Sequence, residues 1–149
     1  MRATLRILLI VLGASAVVIA AMDILMGPQA TAGVFEGAYS AIAGGPRGGE
    51  PWPATMDNEM RFYAAMWGAY GLAAIWAARD LGRRLNLVPW LAGAFFAGGA
   101  GRALSLTSVG PPHPFFVLLM WIELTAPPLM ILLWLLTRPA RSREGGDPF

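Results

Sequence analysis

Four stretches of this chain are long and almost free of charge, running from about Leu5 to Met26, Met60 to Ala78, Leu87 to Leu106 and Phe115 to Leu136. A helix needs about 20 mostly apolar residues to cross a bilayer. Of the 149 residues 56% are hydrophobic and only 13% are charged, against about 25% charged in an ordinary soluble domain. One soluble core could not hide that much apolar surface. The stretches are apolar all round, so periodicity does not separate a lipid-facing side from a buried one. The expected architecture is all-α: a four-transmembrane-helix bundle forming one domain over residues 1–138. A disordered tail, 139–149, is expected to follow.

The first stretch has a second reading. Arg2 and Arg6 precede an apolar run, and Ala14-Ser15-Ala16 has the form of a signal-peptide cleavage site. The apolar run continues about ten residues further, too long for a signal core. A retained helix is expected.

Arginine placement sets the orientation. Arg2 and Arg6 precede the first helix, Arg79, Arg83 and Arg84 fill the loop between the second and third, and Arg138, Arg141 and Arg143 follow the fourth. The other two loops hold only Arg47, with Glu36, Glu50 and Asp57. Positive loops stay cytoplasmic. Both termini are therefore expected inside a bacterial cytoplasmic (inner) membrane, and the loops 27–58 and 107–114 outside. The long outer loop is rich in Gly and Pro. Its first half, Gln29 to Ile42, reads either as an interfacial helix with Val34, Phe35, Tyr39 and Ile42 on one side or as an irregular surface loop.

Helix association in lipid relies on close approach at small residues. The third stretch carries Gly93, Ala97 and Gly101 at spacing four, and the second carries Ala64, Gly68 and Gly71. These two helices are expected to pack together. Six tryptophans lie mostly near the proposed helix ends, as in interfacial belts. In the fourth stretch Pro127 cannot donate to the carbonyl of Glu123. That freed acceptor needs a partner within the protein, which turns Glu123 inward.

Ionisable residues inside apolar segments are costly and mark candidate sites. Asp23 lies near the outer end of the first helix. Asp57, Asn58, Glu59 and Arg61 open the second. Arg102 and Ser105 lie near the outer end of the third, with Gly98 one turn away. Glu123 lies roughly 12 Å below the outer end of the fourth. All fall in the outer half, and the simplest electrostatics pairs Arg61 and Arg102 with Glu59, Asp23 and Glu123. Bland readings stand beside this: snorkelling arginines, Asp57 as an N-cap, and an interhelical ion-pair lock. His113, in Gly110-Pro111-Pro112-His113-Pro114, reads as a cavity cap, a proton carrier or an exposed loop residue.

There are no cysteines and one histidine, so neither a metal site nor a bound cofactor is expected. The arginines bracket apolar segments without forming a stripe, which argues against nucleic acid. Taken together, Asp57-Asn58-Glu59-Met60-Arg61-Phe62-Tyr63, Gly101-Arg102-Ala103-Leu104-Ser105, Gly110-Pro111-Pro112 and Glu123 resemble a bacterial family of small four-helix membrane proteins. That family is known only as a domain of unknown function, number 4345. The resemblance implies the architecture and the choice of residues, and no activity.

Three functional readings are open. The first is binding or moving a small amphipathic or lipid-like molecule in an outer polar cavity formed by Asn58, Arg61, Arg102, Ser105, Asp23 and His113. Paired arginines suit carboxylate or phosphate. The second is an accessory or structural membrane subunit locked by ion pairs, with a homo-oligomer or partner membrane protein. The third is a small membrane enzyme (isomerase, cyclase or hydrolase) using Glu123 as general acid/base with Glu59 as second proton-transfer group. No nucleophile motif or phosphate loop supports the third. Membrane lipids are expected partners in each.

Overall fold

Glycine and proline set the helix ends. Gly27, at φ 93°, ends α1 (Arg2–Met26), and Pro28 opens α2 (Pro28–Ala43) at its first position. This suits a ring that pre-sets φ and has no N–H to satisfy. Gly44, at φ 72°, closes α2. Pro53 precedes α3 (Ala54–Arg79), and a short α4 (Leu81–Arg84) with a 3-10 turn (Leu85–Leu87) leads into α5 (Val88–Ser108). Pro114 starts α6 (Pro114–Thr137), which runs on through Pro127 and Pro128. These elements come from a computed structural model describing residues 1–45 and 51–138; no strand occurs among the described residues. Arg47, Glu50, Arg141, Arg143 and the expected tail 139–149 lie outside them.

Three helical segments are long and apolar enough to cross a membrane: Arg2–Met26, Leu81–Ser108 and Pro114–Thr137. They mark a membrane protein. Large apolar side chains such as Ile7, Val18, Leu118, Leu132 and Leu136 point outward, an arrangement suited to lipid as solvent. The second expected span starts six residues earlier than the sequence pattern indicates, because α3 begins at Ala54 and includes the charged Asp57-Asn58-Glu59 run. Arg61 and Arg79, with the glycines, tyrosines and tryptophans between them, keep α3 out of the apolar class despite its 26 residues. Asp57 is therefore not an N-cap. Pro53 occupies that position, and Asp57 lies in the first turn, where the helix dipole favours an acid.

The helices pair as two antiparallel hairpins: α1 with α3, and α5 with α6. The expected close packing of α3 on α5 is not what forms. A Cβ on Gly71 would lie 2.6 Å from the Gly13 carbonyl oxygen, and one on Gly13 would lie 2.7 Å from the Gly71 oxygen. Gly68 meets Ala20 in the same seam. The small residues of α3 are thus consumed by α1. Gly93 and Gly101 of α5 face open space; its close approach is at Gly99, where a Cβ would lie 2.9 Å from the Glu123 Cβ. Spacing identified small ridges but not their partners, since any small ridge fits any other. Instead, α3 and α5 are joined by rings. Trp67 stacks on Tyr70 at 4.9 Å and on Phe95 at 5.7 Å, and Tyr70 donates to the Leu91 carbonyl at 3.3 Å. Trp67 is therefore a packing residue.

The apolar core lies at the end where the α1 N-terminus, the α3–α5 connection and the α6 C-terminus meet: Leu5, Leu9, Ala77, Leu81, Val88, Met130 and Leu133. Residues on both sides of Ala14-Ser15-Ala16, among them Leu9, Gly13 and Ala20, are buried, so the whole of α1 is part of the packing.

The α1–α3 seam yields a contrast. Gly71→Val drives side-chain carbon into backbone that cannot yield, and overpacking costs about 1–3 kcal/mol or more. Gly93→Val meets open space and is expected to change stability by under about 0.5 kcal/mol. Thermal unfolding in mild detergent checks both, and equal stability of the two variants would remove the seam from the account.

Candidate functional site

Glu123 lies on the face of α6 that meets α5 and is 7% exposed. Gly99 lets the two backbones close, and Gly98 leaves the carboxylate room, its Cβ position being 3.8 Å from Oε2. Arg102, one turn further along α5, donates from Nε to Glu123 Oε2 at 2.8 Å. The expected inward turn of Glu123 and its pairing with Arg102 are both present. The Arg102 side chain remains 39% exposed. Its guanidinium carbon lies 5.8 Å from the Phe116 ring centroid, within cation–π range. Its two terminal nitrogens have no hydrogen-bond partner among the described residues. The pair therefore keeps an unused donor fork, the group best shaped for carboxylate or phosphate.

One turn beyond Glu123 an open-sided apolar groove of about 530 Å³ begins between the same two helices. Gly93 and Phe96 line it from α5, and Pro127, Pro128, Ile131 and Leu132 from α6. The volume is in the range of small-molecule sites. From Pro127 to Leu135 the groove extends along roughly 12 Å of α6. The arrangement sets a polar pair one turn beyond one end of an apolar trough.

Arg61 belongs to a different assembly. It donates to Asp57 from Nε at 2.8 Å and from Nη2 at 3.3 Å, and from Nη1 to the carbonyl of Ile24 in the last turn of α1. A cation there also suits the negative end of the helix dipole. Asp23 adds an attractive charge and is hydrogen-bonded by Thr31. Thr31, 2% exposed, shares its single hydroxyl proton with the Gly27 carbonyl at 3.0 Å. A Cβ on Gly27 would sit 3.0 Å from the Arg61 Nη2. This corner ties α1, α2 and α3 together. Among the described residues no hydrogen bond or ion pair links it to Arg102 and Glu123. The single expected constellation is therefore two. Glu59, expected to pair with an arginine, is exposed and forms no ion pair among the described residues, and Asn58 and Ser105 are exposed as well. Asp57, set aside as a cap, is the actual partner of Arg61.

His113 is half-buried and is not a bare loop residue. Its Nδ1 accepts from the Phe115 N–H at 3.2 Å and so caps α6. Its Nε2 lies 3.3 Å from the buried Ser40 hydroxyl of α2, and Tyr39 meets its ring edge-on at 5.9 Å. Phe35 stacks on Phe115 at 5.4 Å. The stretch from Gln29 to Ile42 is helical, as one of its two readings had it, but its rings are divided. Phe35 and Tyr39 face α6, whereas Val34 and Ile42 are exposed. The reason is tertiary, since α6 supplies the aromatic partners.

Sequence reasoning overlooked Thr31, Gly99 and Phe116. Each is ordinary in composition and gains its role only from a neighbour on another helix. No group of three or more His, Asp or Glu residues able to hold a metal occurs among the described residues.

A family model described as a domain of unknown function, DUF4345, matches residues 4–135. No curated protein and no solved structure matches the chain.

Breaking a buried ion pair costs more than removing it whole. With Arg102 partly exposed, solvent screens the loss. Arg102→Gln or Glu123→Gln alone is expected to cost roughly 1–3 kcal/mol. The double variant is expected to be no less stable than the worse single. A double-mutant cycle of thermal unfolding measures the coupling; strictly additive losses would mean the two side chains do not act as a pair.

Proposed function

The chain belongs to the DUF4345 family, and from that premise we propose that it is an integral membrane protein binding or moving a small amphipathic molecule between α5 and α6. The reading rests on one observation. A half-exposed guanidinium with a free donor fork is paired to Glu123 one turn beyond the Pro127 end of an apolar groove on the same two helices. The head would be a carboxylate or phosphate on Arg102, oriented by Glu123, and the tail would lie along Gly93, Phe96 and Pro128. Arg61 and Asp23 then serve the α1–α2–α3 corner. Asn58, Ser105 and His113 would border the site only as its outer surroundings.

In this reading α3 is the fourth membrane crossing, its charged first turns lying at the outer interface. The arginines Arg2, Arg6, Arg79, Arg83, Arg84 and Arg138 then put both termini and the α3–α5 connection in the cytoplasm, with a bacterial inner membrane as the host.

A second reading, an accessory or self-associating subunit, is favoured by the Gly93–Ala97–Gly101 ridge, which is exposed in the single chain. An enzyme using Glu123 as acid/base draws less support, because Glu59 stands apart from it.

The head-and-tail reading is tested by mass spectrometry of small molecules that co-purify in mild detergent. Arg102→Gln removes the fork, and Gly93→Phe puts a ring into the groove. Each is expected to lose a molecule that the wild type carries, while Arg61→Gln retains it. Retention of the same molecule by both site variants would sink the reading.

The chain has no cysteines, so single-cysteine labelling gives a clean topology test. Val109→Cys is expected to react with an impermeant maleimide in intact cells, and Asn86→Cys only after permeabilisation. The reverse pattern would invert the topology.

A further inference from the structure

Two polar atoms are buried without a hydrogen-bond partner among the described residues at the far end of α6 from the proposed site: Trp134 Nε1 and Thr137 Oγ1. They lie three residues apart and so share a helix face. Thr137 is 7% exposed, and Trp134 packs against the apolar core. In the low-dielectric interior such groups are costly, and each requires an explanation. Elsewhere Ser15, Thr107 and Thr125 donate to a carbonyl four residues back in their own helices. Thr137 does not, so its hydroxyl is turned to another use. An indole N–H can only donate, which means the missing partner is an acceptor.

The charge around these atoms points the same way. The Arg138 guanidinium lies over the Trp134 ring, 3.8 Å from its centroid, and has no ion pair among the described residues. Arg84 is held likewise over Trp76 at 3.9 Å, donating to the Trp76 carbonyl at 2.6 Å. Arg2 and Arg6 lie within a turn of Leu5, which shares a core cluster with Leu133 and Val88. Asp80, the acid nearest to Arg84 in sequence, is already engaged by Arg83, accepting from its backbone N at 3.2 Å and pairing with its Nε at 3.7 Å. A topology signal accounts for the arginines. It gives no reason for two orphaned donors beneath them.

We propose that this end of the bundle binds a phosphate-type oxyanion, held by the Trp134 N–H, the Thr137 hydroxyl and the Arg138 guanidinium. At a membrane interface the phosphate is available on an anionic phospholipid headgroup or as the free ion. Tryptophan and arginine at headgroup level suit the first source. The site is independent of the α5–α6 groove and stands or falls without it.

The test uses the full chain, purified in mild detergent and stripped of lipid. Thermal unfolding is followed against added phosphatidylglycerol, phosphatidylcholine or millimolar inorganic phosphate, for wild type, Thr137→Val, Trp134→Phe and Arg138→Gln. Phosphatidylglycerol is expected to raise the wild-type melting temperature by several degrees and phosphatidylcholine much less. Thr137→Val is expected to weaken the phosphatidylglycerol response about tenfold, the loss of one charge-assisted hydrogen bond. Without lipid the same variant should melt no lower than wild type, since it removes an unpartnered buried hydroxyl. Trp134→Phe keeps the ring under Arg138 and loses only the N–H; should it fail to fold, Thr137→Val and Arg138→Gln carry the test. A full shift from inorganic phosphate alone, abolished in the same variants, supports the oxyanion site and assigns the free ion as its source. Equal shifts from both lipids, or an undiminished response in Thr137→Val, overturn the proposal.

Discussion

Everything in this molecule depends on backbone approaching backbone where Gly13 of α1 crosses Gly71 of α3. Lipid tails are as apolar as leucine, so apolar side chains gain little by turning from lipid to protein. What holds membrane helices together is close contact, and a Cβ at either glycine would collide with the opposite carbonyl. That crossing commits the small face of α3 to α1. It leaves α5 to find its neighbour in α6, with Gly99 against Glu123. From that second pairing come both the ion pair and the groove below it.

The two charged assemblies follow from this division and differ in how fully they are satisfied. At the α1–α2–α3 corner, Arg61 donates in three directions, to two carboxylate oxygens and one helix-terminal carbonyl. Its charge is spent on joining three helices. Between α5 and α6, Arg102 is tied through one nitrogen only. A buried pair that leaves half of a guanidinium open is a weak contribution to stability and a ready receptor for an anion. Satisfied charges read as scaffold and unsatisfied ones as site, and that distinction is invisible in the residue types.

Much of the fold was legible in the sequence. Apolar runs of bilayer length, Gly27-Pro28 and Pro114 located the helix ends to within a few residues, because chain breaks are local chemistry. The α3 start was missed because hydropathy tracks where lipid begins, whereas helix begins wherever backbone bonding can, here directly after Pro53. The inward turn of Glu123 was legible from its depth and from Pro127. The partners of Asp57, Thr31 and Phe35 were not, since each partner lies on another helix at large sequence separation.

Composition and punctuation by themselves determined that this chain is helical, belongs in lipid and keeps its arginines at the ends of its apolar runs. They do so because burial in a bilayer and backbone conformation are decided residue by residue. Only the tertiary structure decided which small ridges meet, which acid holds which arginine and which donors are left without an acceptor. Those are pairwise quantities: small ridges are interchangeable in one dimension, and a few ångströms of packing choose among them.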